Sequence, residues 1–142
     1  MFKILSDLSL LLRKDLDVSD ALNDVLLSGV SGTWVTYNGA YAKRTSAATK
    51  FAWPVFNESN RNGTVGWTPD VNNSKKVTVL VGKYFAQTDQ FNSTPSVGDA
   101  LDVAANGKLA AGSTAPVAYV TKASTALSYF GRTINVIEIY VF

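Results

Sequence analysis

Val97–Lys122 reads VGDALDVAANGKLAAGSTAPVAYVTK, and its turn chemistry decides the fold class. Gly98-Asp99 is a turn pair, Ala100–Ala104 is a short and mostly apolar run, and Asn106-Gly107 is the dipeptide best suited to a two-residue hairpin. That turn needs φ > 0 at both central positions, which Asn and Gly reach at least steric cost. Lys108–Ala111 is then the return strand and Gly112–Thr114 a loop. Pro116 opens the next strand, Val117–Thr121, at a position where a missing N–H is tolerated. The segment reads as a β-meander, and no part of it has the form of a catalytic loop.

Further along, Ile134–Phe142 (INVIEIYVF) is the most strongly β stretch of the chain. Ile134, Val136, Tyr140 and Phe142 share one face, and Ile137, Ile139 and Val141 the other. Two apolar faces predict a central strand, one that ties the end of this sequence into a sheet without a tail. Working back, Lys76–Gly82 (KVTVLVG) alternates at period two, and Lys83–Phe91 continues it after a bend at Gly82. Thr33–Tyr37 (TWVTY) is a strand before a second hairpin dipeptide, Asn38-Gly39. Phe51–Asn57 contains Pro54, which confines it to an edge or a bulge. Ala40–Lys50 reads as an exposed loop with at most one short strand, Thr64–Trp67 as a strand start, and Ser124–Ser128 as a loop or a helical turn.

Residues 1–31 read differently. Ile4, Leu5, Leu8, Leu11 and Leu12 make one helical stripe, and Val18, Leu22, Val25 and Leu26 repeat the spacing. Asp17, Ser19 and Asp20 supply cap and first-turn residues, and Gly29 a C-cap. Two short amphipathic helices, or one broken near Asp15–Asp17, are expected over residues 1–28. They either cover one end of the core or dock on a neighbouring subunit. The expected fold is therefore mainly β, a small antiparallel barrel or sandwich over 32–142 preceded by a short helical N-terminal segment over 1–31.

The chain has 142 residues and a net charge of +2, with no cysteine and no histidine. Disulfides and thiolate chemistry are excluded, and the usual zinc ligands and general base are missing. Glu58 and Glu138 are the only glutamates, so a paired-carboxylate site would need aspartates from separate strands. Neither an enzyme nor a cofactor is expected. Lys43-Arg44 and Lys75-Lys76 are isolated pairs and form no basic stripe, so nucleic acid is not an expected partner. No stretch reaches the apolar length that crosses a bilayer, so no membrane is expected either. Asp7 interrupts the apolar start, and no small-residue cleavage site follows, so the first residues read as retained.

Four Asn-x-Ser/Thr matches, at Asn57, Asn62, Asn72 and Asn92, fall in turn-rich stretches and read as turns. Asp70, Asp99 and Asp102 lack the dense oxygen spacing of a calcium loop and read as turn caps. The aromatics Trp34, Tyr37, Tyr41, Trp53, Phe56 and Trp67 gather in one third of the chain, with Tyr41 and Trp67 nearest to loops. Such rings fill a core or serve as anchors and stacking platforms.

At Val97–Tyr119 the order of Gly-Asp turn, short strand, Asn-Gly-Lys-Leu, small-residue loop and Pro-Val-Ala-Tyr-Val resembles the small capsid decoration (cement) proteins of tailed bacteriophages. The stretch FAWPVFNESNRNGTVGWTPD, residues 51–70, also looks like what such virion proteins carry. The helical segment is a departure from the plainest members. The resemblance implies a structural role on the outer surface of an assembled head, in a protein made in the host cytoplasm. Its partners would be the major capsid protein and its own copies, as a homotrimer. The contacts it suggests here are the leucine face (Leu8, Leu11, Leu12), the stretch from Tyr41 through Lys43 and Arg44, together with Trp67 and Phe142. A carbohydrate-binding β module of a tail fibre or receptor-binding protein, stacking sugars on Tyr41, Trp53 or Trp67, is the alternative.

Overall fold

A computed structural model describes residues 1–7, 11–17, 32–37, 42–44, 48–56 and 76–142. The described chain is mainly β, a curled antiparallel half-barrel, with no helix among the described residues. Its main sheet has six strands: β1 (Phe2–Ile4), β7 (Tyr84–Thr88), β8 (Ala100–Val103), β9 (Leu109–Ala111), β10 (Ala118–Tyr129) and β11 (Arg132–Val141), in the order β1-β7-β11-β10-β8-β9. β2 (Leu12–Asp17) pairs with β6 (Lys76–Val81), and β3 (Trp34–Tyr37) lies between β4 (Ala42–Arg44) and β5 (Ala52–Pro54). A bridge between Val55 and Val79 joins these two smaller sheets into one layer.

The expected central strand is central. β11 lies between β7 and β10, and Ile137, Ile139 and Val141 point into the core with Tyr84, Ala86, Ala118 and Val120. Trp34 and Leu80 from the second layer complete the same cluster. Their chain neighbours Val35 and Val79 point the other way, into a smaller cluster with Leu16 and Val55. β6 is thus buried on both faces at Val79 and Leu80. Gly82, at φ +136, is where the chain leaves the β2–β6 pair and enters the main sheet as β7.

The helical reading of the first residues is overturned for every described position. Phe2–Ile4 pairs with β7, and Leu12–Asp17 pairs with β6 over six register positions. Leucines spaced for a helix also suit two short strands, and the strong strand β6 recruits Leu12–Asp17 as its ladder partner, overriding local propensity. The second stripe, Val18 to Leu26, and Gly29 lie outside the described residues.

Two turns differ from expectation. Ala104 N donates to Lys108 O and Gly107 N to Ala104 O, at 2.8 and 2.9 Å, so the β8–β9 hairpin closes over three residues. Only Gly107 has positive φ, +76, the bulge position of a three-residue loop. Asn106 instead accepts from Lys108 N at 3.0 Å and exchanges amide hydrogen bonds with Asn92. The loop or helical turn expected over Ser124–Ser128 is strand: β10 runs twelve residues, with register shifts between Val120 and Lys122 and between Lys122 and Thr125. It turns back through Phe130-Gly131, at φ +47 and +73, a two-residue loop closed by the Tyr129–Arg132 pair. Phe130 in the left-handed region costs about 1–2 kcal/mol that Asn or Gly would not incur. Pro54 sits on β5, an edge of its three-stranded sheet, as expected. Asn38-Gly39 and Thr64–Trp67 lie outside the described residues.

Candidate functional site: an exposed aromatic row

Period-two alternation sets what the outer face of the main sheet carries. On β7, Tyr84, Ala86 and Thr88 are buried, so Phe85 and Gln87 face outward. On β11 the outward residues are Glu138, Tyr140 and, just beyond, Phe142. On β10 Tyr119 stands between buried Ala118 and Val120. Register then aligns them: Tyr140 is opposite Phe85 on one side and Tyr119 on the other. Leu5 N donates to Phe85 O at 2.8 Å, which places Leu5 at the end of the row, and Phe85 N donates to Ser6 Oγ. Phe85 and Tyr140 meet at 5.0 Å between centroids, and Tyr119 stacks on Phe142 at 5.1 Å with planes 27° apart.

Leu5, Phe85, Tyr119 and Phe142 remain between 42% and 47% exposed. With about 150–250 Å² available per aromatic side chain, the row leaves roughly 300–400 Å² of apolar side chain in solvent. That matches the largest patch on an ordinary monomer, a size often functional. Beside it runs a polar row in the same register, Lys3–Gln87–Glu138–Lys122. Gln87 Nε2 donates to Glu138 Oε1 at 3.0 Å, and Lys122 Nζ approaches the same oxygen at 3.4 Å. An apolar strip bordered by a hydrogen-bonding strip is the plan of a protein interface, a dry centre with a polar rim.

Of the residues the sequence nominated, Phe142 belongs to this row. Leu11 is buried in the main core, against Gly82, and is no surface contact on the folded chain. Leu12 is 70% exposed on β2, in a different sheet from the row. Lys43 and Arg44 lie on β4, in register with Thr36 and Val35. Leu8, Tyr41 and Trp67 fall outside the described residues. Trp53 is half-buried, edge-on to Phe51 at 4.6 Å, and packs on the smaller core. Sequence reading missed Phe85, Tyr119 and Tyr140 as a set: each stands on an alternating strand, but only the non-local register makes them neighbours.

The aspartates act as caps. Asp99 accepts from Ser96 N, and Asp102 accepts from Thr114 N and Ala115 N at 3.0 and 3.1 Å, which fixes the Gly112–Ala115 loop. A Cβ at Gly112 would lie 2.6 Å from the Asp102 carboxylate, so the small residue there makes room for the cap. Asp70 lies outside the described residues. Among the described residues no three His, Cys, Asp or Glu side chains gather as a metal site, and no helix is long and apolar enough to cross a membrane.

No protein-family model matches the chain, and no curated protein matches it as a relative.

Proposed function

We propose that this chain is a structural virion protein that decorates the outer surface of an assembled phage head, and that the aromatic row Leu5–Phe85–Tyr140–Tyr119–Phe142 is its contact with the shell. The observation that carries the reading is the row itself: contiguous exposed rings on a sheet face, bordered by charged and amide side chains. The resemblance at Val97–Tyr119 supplies the setting, and the β8–β9 hairpin and the start of β10 that bear it belong to the same sheet as the row. In this reading the half-barrel is the rigid body of a small barrel or sandwich. Copies bound only to the assembled shell stabilise it by mass action, by about 2.7 kcal/mol per site when free protein stands at a hundred times its Kd. The carbohydrate alternative has less behind it: of its platforms Tyr41, Trp53 and Trp67, only Trp53 lies among the described residues, and it is half-buried, edge-on to Phe51 and packed on the smaller core.

The test is quantitative mass spectrometry of purified particles from the source virus, followed by co-sedimentation of the purified chain with shells that lack it. Presence in simple ratio to the major shell protein, with binding lost on Phe85→Ser combined with Tyr119→Ser, supports the reading. Absence from the particle overturns it. Binding that survives the double substitution moves the contact elsewhere.

A further inference from the structure

We propose that the far half of the β10–β11 hairpin pairs, edge to edge, with the same hairpin of a second copy of this chain, about a two-fold axis at Leu127. The inference is independent of what the aromatic row binds. It begins with where the sheet stops. β8 pairs with β10 only at Ala118 and Tyr119, and β7 pairs with β11 only from Ile137 onward. From Ala123 to Asn135 the hairpin continues as a two-stranded ribbon, with no third strand among the described residues. Ala123, Thr125, Ala126 and Ser128 are exposed along one strand, and Thr133 and Asn135 along the other. Two strands alone are marginal in water, and a third or fourth gives such a ribbon independent stability.

The edge of β10 lacks the usual guards. Between Lys122 and Arg132 the sequence ASTALSYFG holds no charge and no proline. The true edges of the main sheet, β1 and β9, are three residues each, too short to template a partner strand. The second register shift of β10 ends at Thr125, so Thr125–Tyr129 is a regular run that faces β11 on one side and, among the described residues, has no strand on the other.

Self-complementarity names the occupant. Leu127 is opposite Ile134 within the ribbon, and both are half-buried on one face. Antiparallel pairing of Thr125–Tyr129 with its own copy, centred on Leu127, sets Leu127 beside Leu127 of the second copy. The result is a row of four apolar side chains, Ile134–Leu127–Leu127–Ile134, across four strands. Lys122 and Arg132 fall outside the paired run, so no like charges face each other within it. The contact is isologous, the commonest symmetry among homo-oligomers. Five paired residues bury less than the roughly 800 Å² per partner of a standard interface, so association in free solution is weak. It strengthens wherever copies are held side by side, through effective concentration.

The chain has no cysteine, so one introduced thiol reports on its own position. Sedimentation velocity of the full chain over a concentration series, with copper-catalysed oxidation of the single-cysteine variants Leu127→Cys, Ala126→Cys, Ser128→Cys and Lys3→Cys, is the experiment. A reversible dimer, with disulfide-linked dimer forming fastest at Leu127→Cys, is expected. Leu127→Lys, which sets two ammonium groups against each other at the axis, should weaken dimerisation about tenfold or more, a change of about 1.4 kcal/mol. Three results would overturn the proposal: a monomer at every concentration, crosslinking at Lys3→Cys as fast as at Leu127→Cys, or faster crosslinking at Ala126→Cys or Ser128→Cys. Because crosslinking at Leu127 is a gain of signal, misfolding of the lysine variant cannot imitate it.

Discussion

Gly107 and Gly131 offer a matched pair for measuring what the β8–β9 hairpin contributes by docking. Their backbones are nearly the same, φ +76 and +73, so alanine at either meets a similar left-handed penalty of about 1–2 kcal/mol. Their surroundings differ. A Cβ at Gly131 meets nothing within 4 Å, whereas at Gly107 it would stand 2.7 Å from Thr33 Cγ2 and 3.1 Å from Trp34 O. Gly107 is buried, and its carbonyl accepts from Trp34 N at 2.8 Å, so the hairpin tip is held against the start of β3. Trp34 is itself 1% exposed and cannot retreat without disturbing the core. Overpacking of that kind costs a further 1–3 kcal/mol or so. Gly131→Ala should therefore lose about 1–2 kcal/mol and Gly107→Ala about 2–5 kcal/mol, out of a total of roughly 5–15 for a domain. Urea unfolding followed by tryptophan fluorescence, with unchanged m-values, measures both. Equal losses, or a larger loss at Gly131, would refute the claim that the β8–β9 hairpin is locked to β3.

Other consequences can be read from single side chains. Asp102→Ala should destabilise by about 1–3 kcal/mol, since Thr114 N and Ala115 N lose their acceptor, and urea midpoints will report it. Phe130→Asn should stabilise by about 1 kcal/mol, because Asn tolerates the left-handed conformation at that turn; a lower melting temperature would contradict the turn geometry. The Tyr84 hydroxyl is buried without a hydrogen-bond partner among the described residues, and burial pushes its pKa well above the ordinary value near 10. The unfolded chain loses that proton first, so stability is full below about pH 10 and falls as pH rises beyond it. Tyr84→Phe should flatten this alkaline loss while leaving neutral-pH stability within about 1 kcal/mol, as pH-dependent denaturation would show.

Much of the β architecture was legible where a strand is buried by its own pattern. Ile134–Phe142 carries apolar residues on both faces and reads as central, Lys76–Gly82 reads as a strand from its alternation, and Pro54 restricts its strand to an edge or a bulge. Leu12–Asp17 was not legible, because LRKDLD has little strand propensity and owes its conformation to the ladder with β6, which lies far along the chain at Lys76–Val81. Ser124–Ser128 hid for the opposite reason: its small polar residues carry no face pattern, since the ribbon lies outside the core. The aromatic row falls between these cases. Tyr119, Tyr140 and Phe85 each sit on a recognisable strand, yet which residues stand side by side is decided by register between distant segments.

The pairing of β1 with β7 also has a consequence for biogenesis. Phe2 is in register with Thr88, and Leu12 with Val81. On a ribosome adding about 5–20 residues each second, the first strand emerges some 4–17 s before its complement exists. Through that interval Phe2, Ile4, Leu11 and Leu16 have no sheet to enter. The nascent chain therefore carries these apolar side chains uncovered until β6 and β7 emerge, and slow codons placed before β6 would lengthen the exposure rather than assist folding.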